Sequence, residues 1–278
     1  MIEELLMKYS NKLKQFDLKL FLLIIAVLLP WNFTKAQEFN FVQRIPFTGQ
    51  SYTTDNFGNL LIASNGDVVK YDLNGVQTAI YSSRDAGNVH SIDATDPLKV
   101  IVFYKDFGIV RVLDQWLAIK SEINLRDIGL KEPWLVCNSG SNGYWIFDQS
   151  DFQLKKVNNQ LSIISESLPI NRLFKNVNPN FLIETANFVL LNLPDKGILV
   201  FDNFGIYSRT IDIKELKYFQ PREYEIFYAQ NDTIISCNLY TLEREEIVLP
   251  STKDILDMRA EPHRMYLRRK DAIDIYSF

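Results

Sequence analysis

The chain runs to 278 residues, 47% of them hydrophobic and 13% aromatic, which is apolar material for a large buried core. A formal net charge of −4 and a pI near 5.4 exclude a basic field for nucleic acid, and the one basic cluster, LRRK at 267–270, reads as a solvated strand or turn. Length alone permits one or two domains.

Residues 1–37 read as a secretory signal peptide. Lys12, Lys14 and Lys19 precede the apolar run LFLLIIAVLLPW (20–31), and Thr34 and Ala36 place small residues at −3 and −1 of a cut before Gln37. The run is short for a membrane span, so a permanent anchor is the weaker alternative. Met7 is a second candidate start, because MKYSNKLKQF makes a cleaner basic region than MIEELL. With no Cys at the cut, a lipoprotein is not expected. Cleavage after Ala36 removes five lysines and three acids, a net +2, and takes the formal charge from −4 to −6. Residues 38–278 are then expected to form one exported, acidic, soluble domain that does not itself span the membrane.

That domain opens with the strand-like FNFVQRIPF (39–47) and continues in copies of one pattern. LLIASNGDVVKYD ends at Asp72. Asp96-Pro97 leads through VIVFY and IVRVLD to Asp114, and Glu132-Pro133 through WLVCNS and GYWIFD to Asp148. FVLLNLPDKGILVFD ends at Asp202, Gln220-Pro221 leads through EIFYA and TIISCN to Asn238, and Glu261-Pro262 leads through RMYLRR and AIDIYS, with Tyr276 at the matching place. These marks recur on average about every 41 residues. An all-β chain with that period predicts a β-propeller of about six four-stranded blades.

The middle strands of a blade are covered on both faces, which accounts for continuous apolar runs such as VIVF and ILVF. Asn65-Gly66, Asn74-Gly75, Asp106-Phe107-Gly108 and Asp195-Lys196-Gly197 supply the positive φ of tight hairpins. The repeated Asp is expected to hold the next turn through its backbone. Because the last copy stops after its third strand, FNFVQRIPF is expected to close the ring as the missing outer strand. The interval from Asp148 to Asp202, 54 residues, predicts a long hairpin or crossing loop over NNQLSIISESLPINRLFKNVNPN. An outer-membrane barrel fits less well, since its strands would alternate over about ten residues.

No enzyme signature appears. His90 and His263 lack metal spacing, no nucleophile elbow or phosphate loop is present, and neither a metal nor a cofactor is expected. Glu122, Asp127 and Glu132 are the acids a hydrolase could draw on. Cys137 and Cys237 lie in the apolar runs WLVC and TIISC, which favours buried thiols and leaves a disulfide open. The expected role is a rigid docking disc, with a ligand- or glycan-handling propeller as the alternative. Tyr218, Phe219, Arg222 and Arg264, expected on one solvent-facing rim, and Trp116 beside a turn are the candidate partner-binding anchors. The competing reading packs Tyr218 and Phe219 between blades.

The Lys35-Ala36-Gln37 end of the leader, YWIFDQSDFQLKKVNNQL (144–161) and the DP-strand-KD turns resemble small envelope β-propellers of bacteria that use type IX secretion. Within that group the chain looks like the plug subunit of the outer-membrane translocon. The resemblance implies a sealing contact with the periplasmic side of an outer-membrane channel, without catalysis or cofactor, and transfers no contact residue. A final repeat that reaches Phe278 leaves no C-terminal sorting domain, which favours a periplasmic resident.

Overall fold

The structure, a computed structural model, describes residues 39–247, 249 and 254–278. The signal peptide expected at 1–37 lies outside them. The described chain forms six four-stranded antiparallel sheets. Blade 6 takes β1 (Asn40–Pro46) as its outer strand. Blade 1 holds β2 (Ser51–Thr54), β3 (Leu60–Ser64), β4 (Asp67–Tyr71) and β5 (Gln77–Ser82). Blade 2 holds β6 (Ser91–Asp93), β7 (Val100–Tyr104), β8 (Ile109–Leu113) and β9 (Ile119–Asn124). Blade 3 comprises β10 (Pro133–Ser139), β11 (Gly143–Asp148), β12 (Gln153–Asn158) and β13 (Ile163–Glu166), and a 3-10 turn at Ile170–Arg172 follows. Blade 4 comprises β14 (Phe181–Glu184), β15 (Val189–Leu193), β16 (Gly197–Phe201) and β17 (Tyr207–Ile211). Blade 5 comprises β18 (Gln220–Arg222), β19 (Glu225–Gln230), β20 (Thr233–Asn238) and β21 (Arg244–Ile247). Blade 6 is completed by β22 (Asp257–Glu261), β23 (Arg264–Arg268) and β24 (Ala272–Ser277).

The sheets pack face to face, so VIVFY of β7, GYWIFD of β11 and GILVF of β16 are buried along their whole length. The core is a series of interblade clusters, among them Trp145, Phe147 and Phe201 between blades 3 and 4. Cys137 and Cys237 are separate buried thiols in two different blades.

The N-terminal strand closes the ring as expected. β1 pairs antiparallel with β24, and Arg44 grips Asp274 through two hydrogen bonds, 2.6 and 2.9 Å. Arg269 donates to the same carboxylate at 2.6 Å, so a nearly inaccessible Asp274 lies between two guanidiniums. Burial alone would push its carboxyl up; the two arginines reverse the sign and hold it below the ordinary range. Phe39 against Phe278 and Phe41 against Tyr276 stack edge to face along the same seam.

The expected register is one strand out in blade 3. Asp148 ends the second strand, β11, and the third is β12, which ends at Asn158. With Asn158 as the mark, the long interval becomes two steps of 44 residues, Asp114 to Asn158 and Asn158 to Asp202. The segment expected to loop out contains the outer strand β13 and the link to blade 4. Asp148 serves the chain elsewhere. Its buried carboxylate accepts the backbone N–H groups of Lys131 and Glu132, fastening the link between blades 2 and 3. Proline placement also varies, since Pro97 precedes a second strand whereas Pro133 and Pro221 lie in first strands.

Candidate functional site

Antiparallel pairing sorts the connections onto two faces. The turns from first to second and from third to outer strand share one face, here the rim face. The second-to-third turns and the links between blades share the other, the link face.

On the rim face the repeated Asp or Asn holds the third-to-outer turn. Asp72, Asp114 and Asp202 each accept two backbone N–H groups at 2.9 Å, from the residues two and four positions ahead. Asn158 accepts from Ser162, and Asn238 from Tyr240 and Thr241. The turns then need a left-handed residue, supplied by Gly75 and Gly205 and, against intrinsic preference, by Leu117, Leu161 and Leu242. The residue two after the mark is thrown outward. It is Trp116 in blade 2, Phe204 in blade 4 and Tyr240 in blade 5, with 71%, 72% and 52% of their surface exposed. Tyr240 is braced by Tyr224 and Phe188, with ring centroids at 5.7 and 5.4 Å, and its hydroxyl accepts from Asn187 Nδ2 at 3.0 Å.

The innermost strands surround a central cavity of about 260 Å³. Its walls combine apolar Ile92, Val136 and Phe181 with polar Thr54, Gln220, Arg259 and Glu261. The chemistry concentrates in β22, DMRAE, where all five residues are buried although three are charged. Alternation places Asp257, Arg259 and Glu261 on one face of the strand. Tyr52 donates to Asp257 at 2.8 Å, and Thr54 and Gln220 donate to Glu261 at 2.5 and 2.8 Å. Arg259 Nη1 donates to the Phe219 carbonyl at 3.1 Å. The ladder thereby ties blade 6 to blades 5 and 1. Burial raises the Glu261 carboxyl above its ordinary value, against the hydrogen bonds from Thr54 and Gln220.

The sequence-derived anchors separate into three environments. Trp116 stands free on the rim face, and Arg222, the last residue of β18, is exposed at the rim-face mouth of the cavity. Arg264 is half-buried and acts as a clasp: its Nε donates to the Leu73 carbonyl of blade 1 at 2.8 Å and its Nη1 to the His263 carbonyl at 2.9 Å. Tyr218 and Phe219 lie at the opposite, link-face end of β18, because a strand's rise of about 3.3 Å per residue carries Arg222 across the depth of the disc. Tyr218 lines that mouth with 39% of its surface exposed, its ring edge-on to that of Phe181. Phe219 is fully buried, its ring 5.0 Å from that of Phe181, so the expectation that it faces solvent fails. Neither Phe204 and Tyr240 nor the Asp257–Arg259–Glu261 ladder was among the expected anchors. Glu122 is in the outer strand β9, paired with Arg111 at 2.6 Å, away from the cavity.

Six four-stranded blades around a central cavity define a six-bladed β-propeller. Solved structures similar in fold to this chain include a chain of the mitotic checkpoint complex, at a TM-score of 0.62 and 10% identity, covering 88% of this chain and 94% of that one. A catalytically inactive virginiamycin B lyase of Staphylococcus aureus with quinupristin gives 0.58 and 12%, covering 87% of this chain and all (100%) of the other. The WD40 β-propeller domain of Doa1 gives 0.56 and 9%, covering 87% and 98%. At such identities the likeness is one of fold. No protein-family profile and no curated protein matches the sequence.

Proposed function

We propose that this chain is a non-enzymatic docking protein of the bacterial envelope, periplasmic, which seats its rim face on the periplasmic mouth of an outer-membrane translocation channel and plugs it. The observation that carries the reading is the set Trp116, Phe204 and Tyr240, three large rings at one turn position on turns pinned by carboxylate or amide side chains. Rings held outward on pre-ordered turns lose little entropy on docking, and aromatic anchors of this kind contribute about 2 kcal/mol or more each once buried. One structural relative comes from a multiprotein complex and another is a lyase, so the reading rests on the rim and not on the fold. The leader-like first 37 residues and the resemblance to type IX secretion propellers support the envelope and the channel.

The test is co-purification from envelope membranes with the triple variant Trp116→Ala, Phe204→Ala, Tyr240→Ala. The wild-type chain should bring down an outer-membrane channel and the folded variant should not. A folded variant that retains the partner removes the rim from the account, and a wild-type chain that brings down no channel removes the plug.

A further inference from the structure

The cavity poses a question that docking on the rim does not answer: what the buried guanidinium of Arg259 faces. Only 6% of Arg259 is exposed, and it lines the cavity. A guanidinium has five N–H donors and cannot shed its charge. Here Nη1 reaches the Phe219 carbonyl, while Nε is buried and donates to no acceptor among the described residues. The nearest countercharge is both distant and diverted. Nη2 stands 3.9 Å from Asp257 Oδ2, which already accepts the Tyr52 hydroxyl, and Asp257 Oδ1 accepts the Met258 N–H. A buried cation with an idle donor is costly unless an acceptor completes it.

The other charged groups lining the cavity are one cation and two carboxylates, and both carboxylates already accept hydrogen bonds from the protein. Arg222 adds a second cation at the rim-face mouth. Asp93 is committed to the Asn138 N–H at 2.7 Å and to Thr95. Glu261 is the opposing charge, and its carboxylate is engaged by the Thr54 hydroxyl and the Gln220 amide. Tyr52 presents its ring 5.5 Å from the Arg259 guanidinium carbon, and Phe181 and Ile92 supply apolar wall. A planar acceptor with two oxygens and a small apolar body matches this arrangement, because the fork of a guanidinium pairs with a carboxylate through two parallel hydrogen bonds.

We infer that the central channel of this propeller binds a carboxylate group on Arg259. A cavity of about 260 Å³ admits a small organic acid or the terminal residue of a peptide. The inference is independent of the rim.

Benzoate and its neutral isostere benzamide are the first probes, titrated into the purified protein by ligand-observed NMR with melting temperature alongside. Benzoate should bind with a dissociation constant of about 1 mM or below, and benzamide at least tenfold more weakly. Arg259→Gln should lose benzoate at least tenfold, while Glu261→Gln, which keeps the hydrogen-bonding shape and removes the repelling charge, should tighten it severalfold. If Arg259→Gln does not fold, Glu261→Gln decides. A short peptide with a free C-terminus, compared with its C-terminal amide, separates the two sources: the free peptide outcompetes benzoate if a chain terminus is the natural ligand, and does not if a small acid is. Equal binding of benzoate and benzamide, no benzoate binding at about 10 mM, or unchanged affinity in Glu261→Gln would overturn the assignment.

Discussion

The rim and the channel depart from the ordinary distribution of side chains in opposite directions. On the rim, Trp116, Phe204 and Tyr240 expose most of their ring surface to water; at and beside the channel, Asp257, Arg259 and Glu261 are buried although charge is costly to bury. The difference lies in what each region contributes to stability. The rim rings rest on turns whose hydrogen bonds come from Asp114, Asp202 and Asn238, so the rings can be removed without touching the turns. The channel ladder is wired into blades 5 and 1 through Gln220, Phe219, Tyr52 and Thr54, so its ligand chemistry and its structural role are carried by the same side chains.

The largest effect should come from removing what both regions depend on, the closed ring. Deleting residues 39–47 takes away β1, the Arg44 grip on Asp274 and the two edge-to-face ring pairs. Loss of several kcal/mol in a domain of this size lowers the melting temperature by roughly 10 °C or more, measured by circular dichroism. A deletion that melts like the parent would show that blade 6 stands without its outer strand.

A smaller effect at the same seam contrasts the two carboxylates by pH. The depressed Asp274 contributes stability that is fully present above its unfolded value near 3.9 and is lost as pH falls toward its folded value. Glu261, raised by burial, behaves oppositely: its contribution falls as pH climbs from its unfolded value near 4.3 through the folded one. Asp274→Asn should therefore cost about 2 kcal/mol at neutral pH and progressively less in acid, followed by melting curves across the acid range. A cost independent of pH would mean that the arginine pairing does not set the Asp274 charge.

The smallest effects belong to the rim turns. Asp202→Ala frees two backbone N–H groups, both near solvent, and should cost about 1 kcal/mol, whereas Asp202→Asn should be close to neutral because Asn158 and Asn238 already hold the equivalent turns. Urea titration of the pair reads this. Equal losses for both substitutions would point to charge rather than acceptor geometry.

Much of the fold was legible because a blade repeats one hydrophobic pattern and one turn. Asp72, Asp114 and Asp202 could be found by their spacing, and FNFVQRIPF was legible as the closing strand because the last copy lacked one. Blade 3 was misread because Asp148 offers the same apolar-run-then-Asp signature one strand early, while the residue that holds the turn, Asn158, ends the mixed strand QLKKVN. The site was less legible. Trp116 could be seen beside its turn, and Phe204 and Tyr240 were two residues past marks already located, so the periodicity that found the blades also contained the rim. Phe219 could not be separated from Tyr218 by composition, since burial there depends on Phe181 of the neighbouring blade. The alternation D-M-R-A-E was visible, but only the structure shows that Arg259 and Glu261 line the channel.

The central claim is that the rim face is the docking surface, and the most direct measurement is the affinity of the purified partner channel for the wild-type domain, for the Trp116, Phe204, Tyr240 triple alanine variant, and for Phe107→Ala on the link face, by surface plasmon resonance. Phe107 is a matched control, half-exposed in the second-to-third turn of blade 2. The rim variant should lose at least about a hundredfold in affinity, with a melting temperature near that of wild type, and Phe107→Ala should bind unchanged. Full affinity in the folded rim variant, or a loss confined to Phe107→Ala, would contradict the claim and place the contact on the other face.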